Sequence, residues 1–253
     1  MKLHFYKSGE GEPLIIIHGL FGSGDNWISL AKQFAEHYTV YLLDMRNHGH
    51  SPHDEVFNYD VMAEDVHAFM NDEQIMYAHF IGHSMGGKVI MRHAQRWPDR
   101  VEKLVVADMG VKSYPPHHDR ILEALNKIDG QIITSRKQAG TILEEYIQEE
   151  SVRQFLMKNL YWKEKGLLKW RMNVPVITRS MPSILEAVPD GVVEAETMFI
   201  RGDQSGYILD EDKFFIDKIF PNSTLETIAN AGHWLHAEAP EQFYSMVNAF
   251  LEG

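Results

Sequence analysis

Short, mostly apolar runs alternate with helical patterns along the first 110 residues of this chain. The runs lie at residues 14–17, 40–43, 78–81 and 104–107, and they are rich in Val, Ile and Leu. Between them, residues 27–38, 59–70 and 86–97 carry apolar side chains at helical spacing. Strands of this kind, separated by helices, predict an α/β protein whose mostly parallel sheet has helices on both faces.

The alternation breaks between residues 111 and 188. Helical patterns continue there, but no convincing buried strand is present, because the run at residues 174–177 is short and contains Pro175. Strand patterns resume near Glu196 and again at residues 224–228, and a last helix is predicted over 240–251. We therefore expect a core domain made of residues 1–110 and 189–253, with residues 111–188 inserted as a helical cap over the carboxyl ends of the strands.

Composition excludes several classes of protein. Hydrophobic residues make up 44% and charged residues 24% of the 253 residues, as in ordinary globular proteins. The absence of cysteine excludes disulfides and thiol nucleophiles. A net charge of −12 argues against a nucleic-acid partner, which requires a positive surface. No apolar run approaches the ~20 residues of a membrane span, and the first residues lack a secretory pattern, so we expect a cytoplasmic protein without a membrane span. The sequence predicts no oligomeric state.

The segment Gly82-His83-Ser84-Met85-Gly86 follows a predicted buried strand and precedes a predicted helix. This is the context in which Gly-x-Ser-x-Gly forms a nucleophile elbow, a tight turn that presents the serine hydroxyl. Glycines are needed because neighbouring chain approaches the turn closely. Ser84 is thus the candidate nucleophile, and the Met85 N–H is a candidate oxyanion donor.

A His18-Gly19 pair follows the strand at residues 14–17 and predicts a second oxyanion donor in the loop. Leu20 is the favoured donor and Phe21 the alternative. His18 itself is expected to hydrogen-bond within the loop. The candidate base lies near the end of the chain, where His233 follows Gly232 after the last predicted strand. His236 is its competitor.

These motifs resemble those of the α/β-hydrolases. The similar segments are His18-Gly19, the Asp-x-Arg-x-x-Gly-x-Ser pattern that begins at Asp44, the Ser84 elbow and Gly232-His233. Within that family, the loops are similar to those of YbfF-type bacterial esterases. The resemblance implies a sheet of eight strands, favours His233 over His236 as the base, and gives Asp44 and Arg46 a structural role in bracing loops.

The position of the catalytic acid is unusual in this sequence. Most α/β-hydrolases place it three residues after a Gly that ends the strand following the cap, but here that position is Ser205. Asp203 is displaced by two residues. Asp108 directly follows the strand at residues 104–107, and YbfF-type esterases are similar in having the acid there. We therefore favour Asp108, with Asp203 as the alternative.

Together these residues predict a serine hydrolase of carboxylic esters or acyl thioesters that works through a Ser84–His233–Asp108 triad and an acyl-enzyme. Its expected partner is a small acyl ester or thioester. Apolar cap residues suggest a fatty-acyl group, and the resemblance makes acyl-CoA plausible. No cofactor is expected, and the 14 histidines show no metal-binding spacing. The alternatives are C–C bond hydrolysis or lyase chemistry on the same fold, or a ligand-binding homologue without turnover.

Overall fold

A computed structural model describes all residues 1–253. It contains nine strands: β1 Phe5–Ser8, β2 Glu12–Ile17, β3 Tyr38–Leu43, β4 Ala78–His83, β5 Val101–Ala107, β6 Leu160–Glu164, β7 Leu167–Trp170, β8 Glu196–Gly202 and β9 Ser223–Ile228. It contains ten α-helices: α1 Ile28–Phe34, α2 Tyr59–Asp72, α3 Met85–Arg96, α4 Asp119–Asp129, α5 Arg136–Tyr146, α6 Glu150–Met157, α7 Val174–Leu185, α8 Lys213–Ile219, α9 Leu235–Glu238 and α10 Pro240–Glu252.

Seven of the strands form one sheet in the order β1-β3-β2-β4-β5-β8-β9. All neighbouring pairs are parallel except β1 and β3. The predicted class, a mostly parallel α/β sheet, is confirmed. The expectation of eight strands is wrong, because the sheet has seven. It ends at β1, an edge strand that pairs only with β3, and no eighth strand extends the sheet beyond it.

The two faces of the sheet are covered by different helices. Side chains of α2, α3 and α8 pack on one face, in an apolar cluster that continues into the segment between β5 and β8. Side chains of α1 and α10 cover the other face. Helix α1 ends at Phe34, before the predicted limit, because the chain turns at residues 35–37 to begin β3. The strands β2 to β5 and β8 are therefore buried on both sides, which explains their continuous apolar runs.

The segment between β5 and β8 holds helices α4 to α7, and also a two-stranded hairpin, β6–β7, that the sequence patterns did not indicate. Its strands are only five and four residues long, and Lys163, Glu164 and Lys165 lie around the turn, so neither strand stands out as a long apolar run. The run at residues 174–177, which was not assigned as a strand, begins α7 with Pro175 in the first turn, where proline is tolerated.

Two chain segments lead into and out of the stretch between β5 and β8, and we call them the necks. They are residues 111–118, before α4, and residues 185–188, at the end of α7. The Tyr114 N–H donates to the Leu185 carbonyl and the Val188 N–H to the Val111 carbonyl, both at 2.8 Å. Helix α3 reaches the same place through Lys88, whose buried ammonium donates to the carbonyls of Lys112, at 3.0 Å, and Glu186. The necks are thus attached to the helix that follows Ser84. None of the ten helices has the length and apolarity required to cross a bilayer.

Candidate active site

Ser84 lies at the turn between β4, which ends at His83, and α3, which begins at Met85. Its backbone has φ 53° and ψ −117°, a conformation that non-glycine residues rarely adopt and that costs energy. A Cβ at Gly82 would collide with the Gly86 carbonyl, and one at Gly86 would collide with the carbonyl of Ile17. The glycine spacing is therefore a steric requirement of this turn, and the strand–turn–helix expectation for Ser84 is met.

His233 and Asp108 lie in direct contact. The His233 Nδ1–H donates to Asp108 Oδ2 at 2.7 Å. Asp108 directly follows β5, has φ 49° and is fully buried. Its carboxylate also accepts a hydrogen bond from the Ser205 hydroxyl, and its Oδ1 accepts the Gly202 N–H at 3.4 Å. Three donors therefore converge on one buried carboxylate.

The competing candidates make different contacts, although His18 and His236 also line the cavity at Ser84. Asp203 is exposed, and its backbone N–H bonds to the Ile228 carbonyl, while its side chain makes no ion pair. His236 is buried against Trp27, with the two rings stacked at 4.2 Å and 5°. His18 is held inside its loop, because its Nδ1–H donates to the Gly19 carbonyl and its Nε2 accepts the Met45 N–H.

Burial dominates the electrostatics of the Asp108–His233 pair. It raises the pKa of Asp108 to about 7, although the hydrogen bonds from Ser205 and Gly202 act in the opposite direction. Burial and the neighbouring His117 lower the pKa of His233. A neutral His233 has a free Nε2 that can accept a proton.

Two residues that the sequence analysis did not single out hold His233 in place. The Tyr207 ring stacks on the imidazole at 4.0 Å and 16°. The Tyr207 hydroxyl is hydrogen-bonded to His117 Nε2 at 2.6 Å. His83 Nε2 bonds to the His233 carbonyl at 2.7 Å. His83 belongs to the recognised elbow motif, whereas no local pattern marks Tyr207.

The two candidate oxyanion donors in the loop after β2 differ in their contacts. The Phe21 N–H already donates to His48 Nε2 at 3.2 Å, and Phe21 has φ 63°. The Leu20 N–H has no acceptor within the protein. Met85 begins α3, where the first N–H groups of a helix have no intrahelical partner. Of the two loop candidates, only Leu20 therefore has a free N–H, and the Met85 N–H lies in the first turn of α3.

Ser84 and His233 line one cavity of about 220 Å³, which lies between the carboxyl ends of the strands and the inserted segment. The Ser84 hydroxyl does not cap α3 and so remains available at the cavity. His233 uses Nδ1 for Asp108, which leaves Nε2 for a second partner. Phe155 and Leu156, which lie between β5 and β8, line the cavity, whereas Trp170 of the same segment is buried and donates to the Leu125 carbonyl.

Polar residues of the loop after β3 hold the loops near the site in place through hydrogen bonds and ion pairs. Asp44 is buried and accepts the N–H groups of Gly24 and His50 at 2.7 and 2.8 Å. Arg46 forms a two-pronged ion pair with Asp65 at 2.5 and 2.8 Å. These contacts match the structural role expected for Asp44 and Arg46. No group of three or more His, Asp or Glu side chains is arranged to ligate a metal.

Comparison with known proteins agrees with this fold. A sequence model of the α/β hydrolase fold family matches residues 12–132. The chain is 38% identical to "Esterase YbfF" of Escherichia coli (strain K12) over 242 residues, 94% of this chain and 92% of that protein. The protein therefore belongs to the α/β hydrolase fold family.

Two further relatives are similar over nearly the whole chain. One is "sn-1-specific diacylglycerol lipase ABHD11" of Danio rerio, 36% identical over 257 residues, 98% of this chain and 81% of that protein. The other is a solved structure described as a "Marine microorganism esterase", with a TM-score of 0.96 and 42% identity over 98% of this chain and 99% of that one.

Proposed function

We propose that the protein hydrolyses carboxylic esters, and acyl thioesters of similar shape, with Ser84 as nucleophile, His233 as base and Asp108 as the acid that orients it. One observation carries the proposal. A serine at a strained elbow shares a cavity with an imidazole whose other nitrogen donates to a fully buried carboxylate. The names of the relatives, esterase and lipase, support the same reaction.

The first half of the reaction forms an acyl-enzyme. Ser84 Oγ bonds to the carbonyl carbon of the substrate while its proton passes to His233 Nε2. The negative charge that develops on the carbonyl oxygen is stabilised by the N–H groups of Leu20 and Met85. Collapse of this intermediate breaks the bond to the leaving alcohol or thiol, which takes the proton from His233.

The second half restores the enzyme. Water attacks the acyl carbon while His233 Nε2 removes its proton. His233 then returns that proton to Ser84 Oγ as the bond between Oγ and the acyl carbon breaks, which releases the carboxylic acid. During both steps the positive imidazolium is stabilised by Asp108, whose other hydrogen bonds hold it in place. All the groups required are side chains and backbone of this chain, so the proposal includes no cofactor.

The inserted segment supplies the acyl pocket in this proposal. We assign residues 111–188 as the cap domain and residues 1–110 and 189–253 as the core. Ile121, Val152, Phe155 and Leu156 of the cap line the cavity beside Ser84 and provide an apolar wall for an acyl chain.

The test is covalent labelling combined with kinetics. Phenylmethylsulfonyl fluoride should add to Ser84, as seen by peptide mass spectrometry, and a p-nitrophenyl ester should give a burst of p-nitrophenol. Ser84→Ala should lose both the adduct and turnover, whereas Ser245→Ala, an exposed serine on α10, should keep both. Absence of an adduct on the wild-type protein, together with no hydrolysis of any ester in a panel of chain lengths, would refute the proposal.

A further inference from the structure

A second and larger cavity lies on the outer side of the cap. It is a groove of about 740 Å³ between α4 and α7, bounded by the neck residues that precede α4. We call it the α4–α7 groove. Its volume is more than three times the 220 Å³ of the cavity at Ser84.

The groove and the catalytic cavity are separated by one layer of side chains. His117 and His118 line both. They also line a small space of about 20 Å³ that touches Ser84 and Met85. Tyr114 and Leu185 complete the partition, because each lines that small space on one side and the groove on the other.

His117 is the most exposed of the four partition residues. Its ring is hydrogen-bonded to the Pro115 carbonyl and the Tyr207 hydroxyl, which water can replace, and it packs against the His118 ring at 4.0 Å. Burial lowers the pKa of His118 to about 3, so that this ring is neutral near pH 7. Because His117 lines the catalytic cavity, the small space and the groove, displacement of its ring would remove part of the wall between them.

The chemistry of the groove selects among possible ligands. Its apolar surface is made by Leu122 and Met181, together with the Tyr114 and Leu185 side chains of the partition. Its charged lining residues are Asp119, Glu123 and Glu186, and no Lys or Arg lines it. An apolar, uncharged group is favoured there, whereas an anionic group would meet three carboxylates.

Because the groove and the catalytic cavity share lining residues, we propose that the α4–α7 groove is a substrate subsite. It binds the apolar, uncharged leaving-group arm of an ester, while the acyl arm fills the cavity at Ser84. The inference rests on the proposed ester hydrolysis. It narrows the substrate class to neutral esters with an apolar group on each side of the carbonyl. It also makes thioesters with anionic leaving groups, such as acyl-CoA, poor substrates.

The test compares three esters with the same acyl group. They are methyl octanoate, octyl octanoate, and the analogue of octyl octanoate whose alkoxy arm ends in a carboxylate. For the wild-type protein, kcat/KM for octyl octanoate should exceed that for each of the others by at least about tenfold, since burial of several methylene groups stabilises the longer arm.

Glu123→Trp fills the groove from an exposed position on α4. It should lower kcat/KM for octyl octanoate by at least about tenfold while methyl octanoate stays within about twofold. Glu144→Trp, the same change at an exposed position on α5 outside the groove, should leave both esters unchanged. Glu123→Lys should narrow the preference for the neutral ester over its carboxylate analogue, and it serves as the second variant if the tryptophan disturbs folding, which a thermal melt would reveal.

The outcomes separate the two proposals. If the wild-type protein hydrolyses no ester, the proposed function fails. If it hydrolyses esters in a Ser84-dependent manner, but neither Glu123→Trp nor Glu123→Lys changes the ratios between the three substrates, the function stands and the groove is not the subsite. Equal losses with methyl and octyl octanoate in a folded Glu123→Trp protein would likewise overturn the inference.

Discussion

Replacing Asp108 by asparagine keeps the shape of the side chain but removes its charge and one acceptor. In the structure the carboxylate accepts from His233 Nδ1, the Ser205 hydroxyl and the Gly202 N–H. An asparagine has a single acceptor oxygen, so one of its oxygen positions becomes an amide that donates. If the amide faces His233, Nδ1 must accept and Nε2 carries the proton, which prevents His233 from acting as a base.

The expected loss follows from that change of tautomer. We expect kcat to fall by about ten-thousand-fold, as when the orienting aspartate of another serine triad is replaced by asparagine, which corresponds to about 5 kcal/mol of transition-state stabilisation. If the amide instead faces Gly202, two donors oppose each other inside the core, which costs about 1–3 kcal/mol of stability. The assay is steady-state hydrolysis of a p-nitrophenyl ester, with a urea melt of each variant.

The matched control is Asp203→Asn. Asp203 carries an exposed carboxylate directly after β8 (Glu196–Gly202), five residues before Ile208, and its replacement should leave kcat nearly unchanged. The reasoning would be refuted if Asp203→Asn caused the large loss, or if folded Asp108→Asn retained more than about a tenth of the wild-type kcat.

Three further predictions concern the same site and its support. Ser84→Ala should reduce kcat by at least about ten-thousand-fold while the melting temperature stays close to that of the wild type, which a thermal melt checks; equal activity would exclude Ser84 as nucleophile. Burial raises the pKa of Asp108 to about 7, and the Asp108–His233 pair works in the form without the extra proton. We therefore expect kcat/KM to fall as the pH drops through about 7. A flat profile down to pH about 5 would contradict this. Lys88→Met leaves two neck carbonyls without their donor, so the free energy of unfolding in urea should fall by about 1–3 kcal/mol; an unchanged urea midpoint would show that the necks do not depend on Lys88.

Local sequence patterns predicted the parts of this protein that depend on near neighbours in the chain. The buried runs became strands β2 to β5 because continuous apolar stretches can be covered only between two layers of helices. The elbow at Ser84 was recognisable because its two glycines are required within four residues of each other. The hairpin β6–β7 could not be predicted in this way, because its strands are only five and four residues long and pair with each other outside the main sheet.

Which distant residues meet was decided by the tertiary structure. Asp108 and Asp203 both follow strands, and their sequence positions do not say which carboxylate faces His233. The pairing of β5 with β8, and of β8 with β9, brings the Asp108 carboxylate to the imidazole and leaves Asp203 exposed. In the same way, the contact of Phe21 with His48 leaves the Leu20 N–H as the free donor of that loop. Local sterics and the spacing of apolar residues determine the strands, helices and turns along the chain. Hydrogen bonds between segments more than a hundred residues apart form only once the strand order of the sheet is fixed.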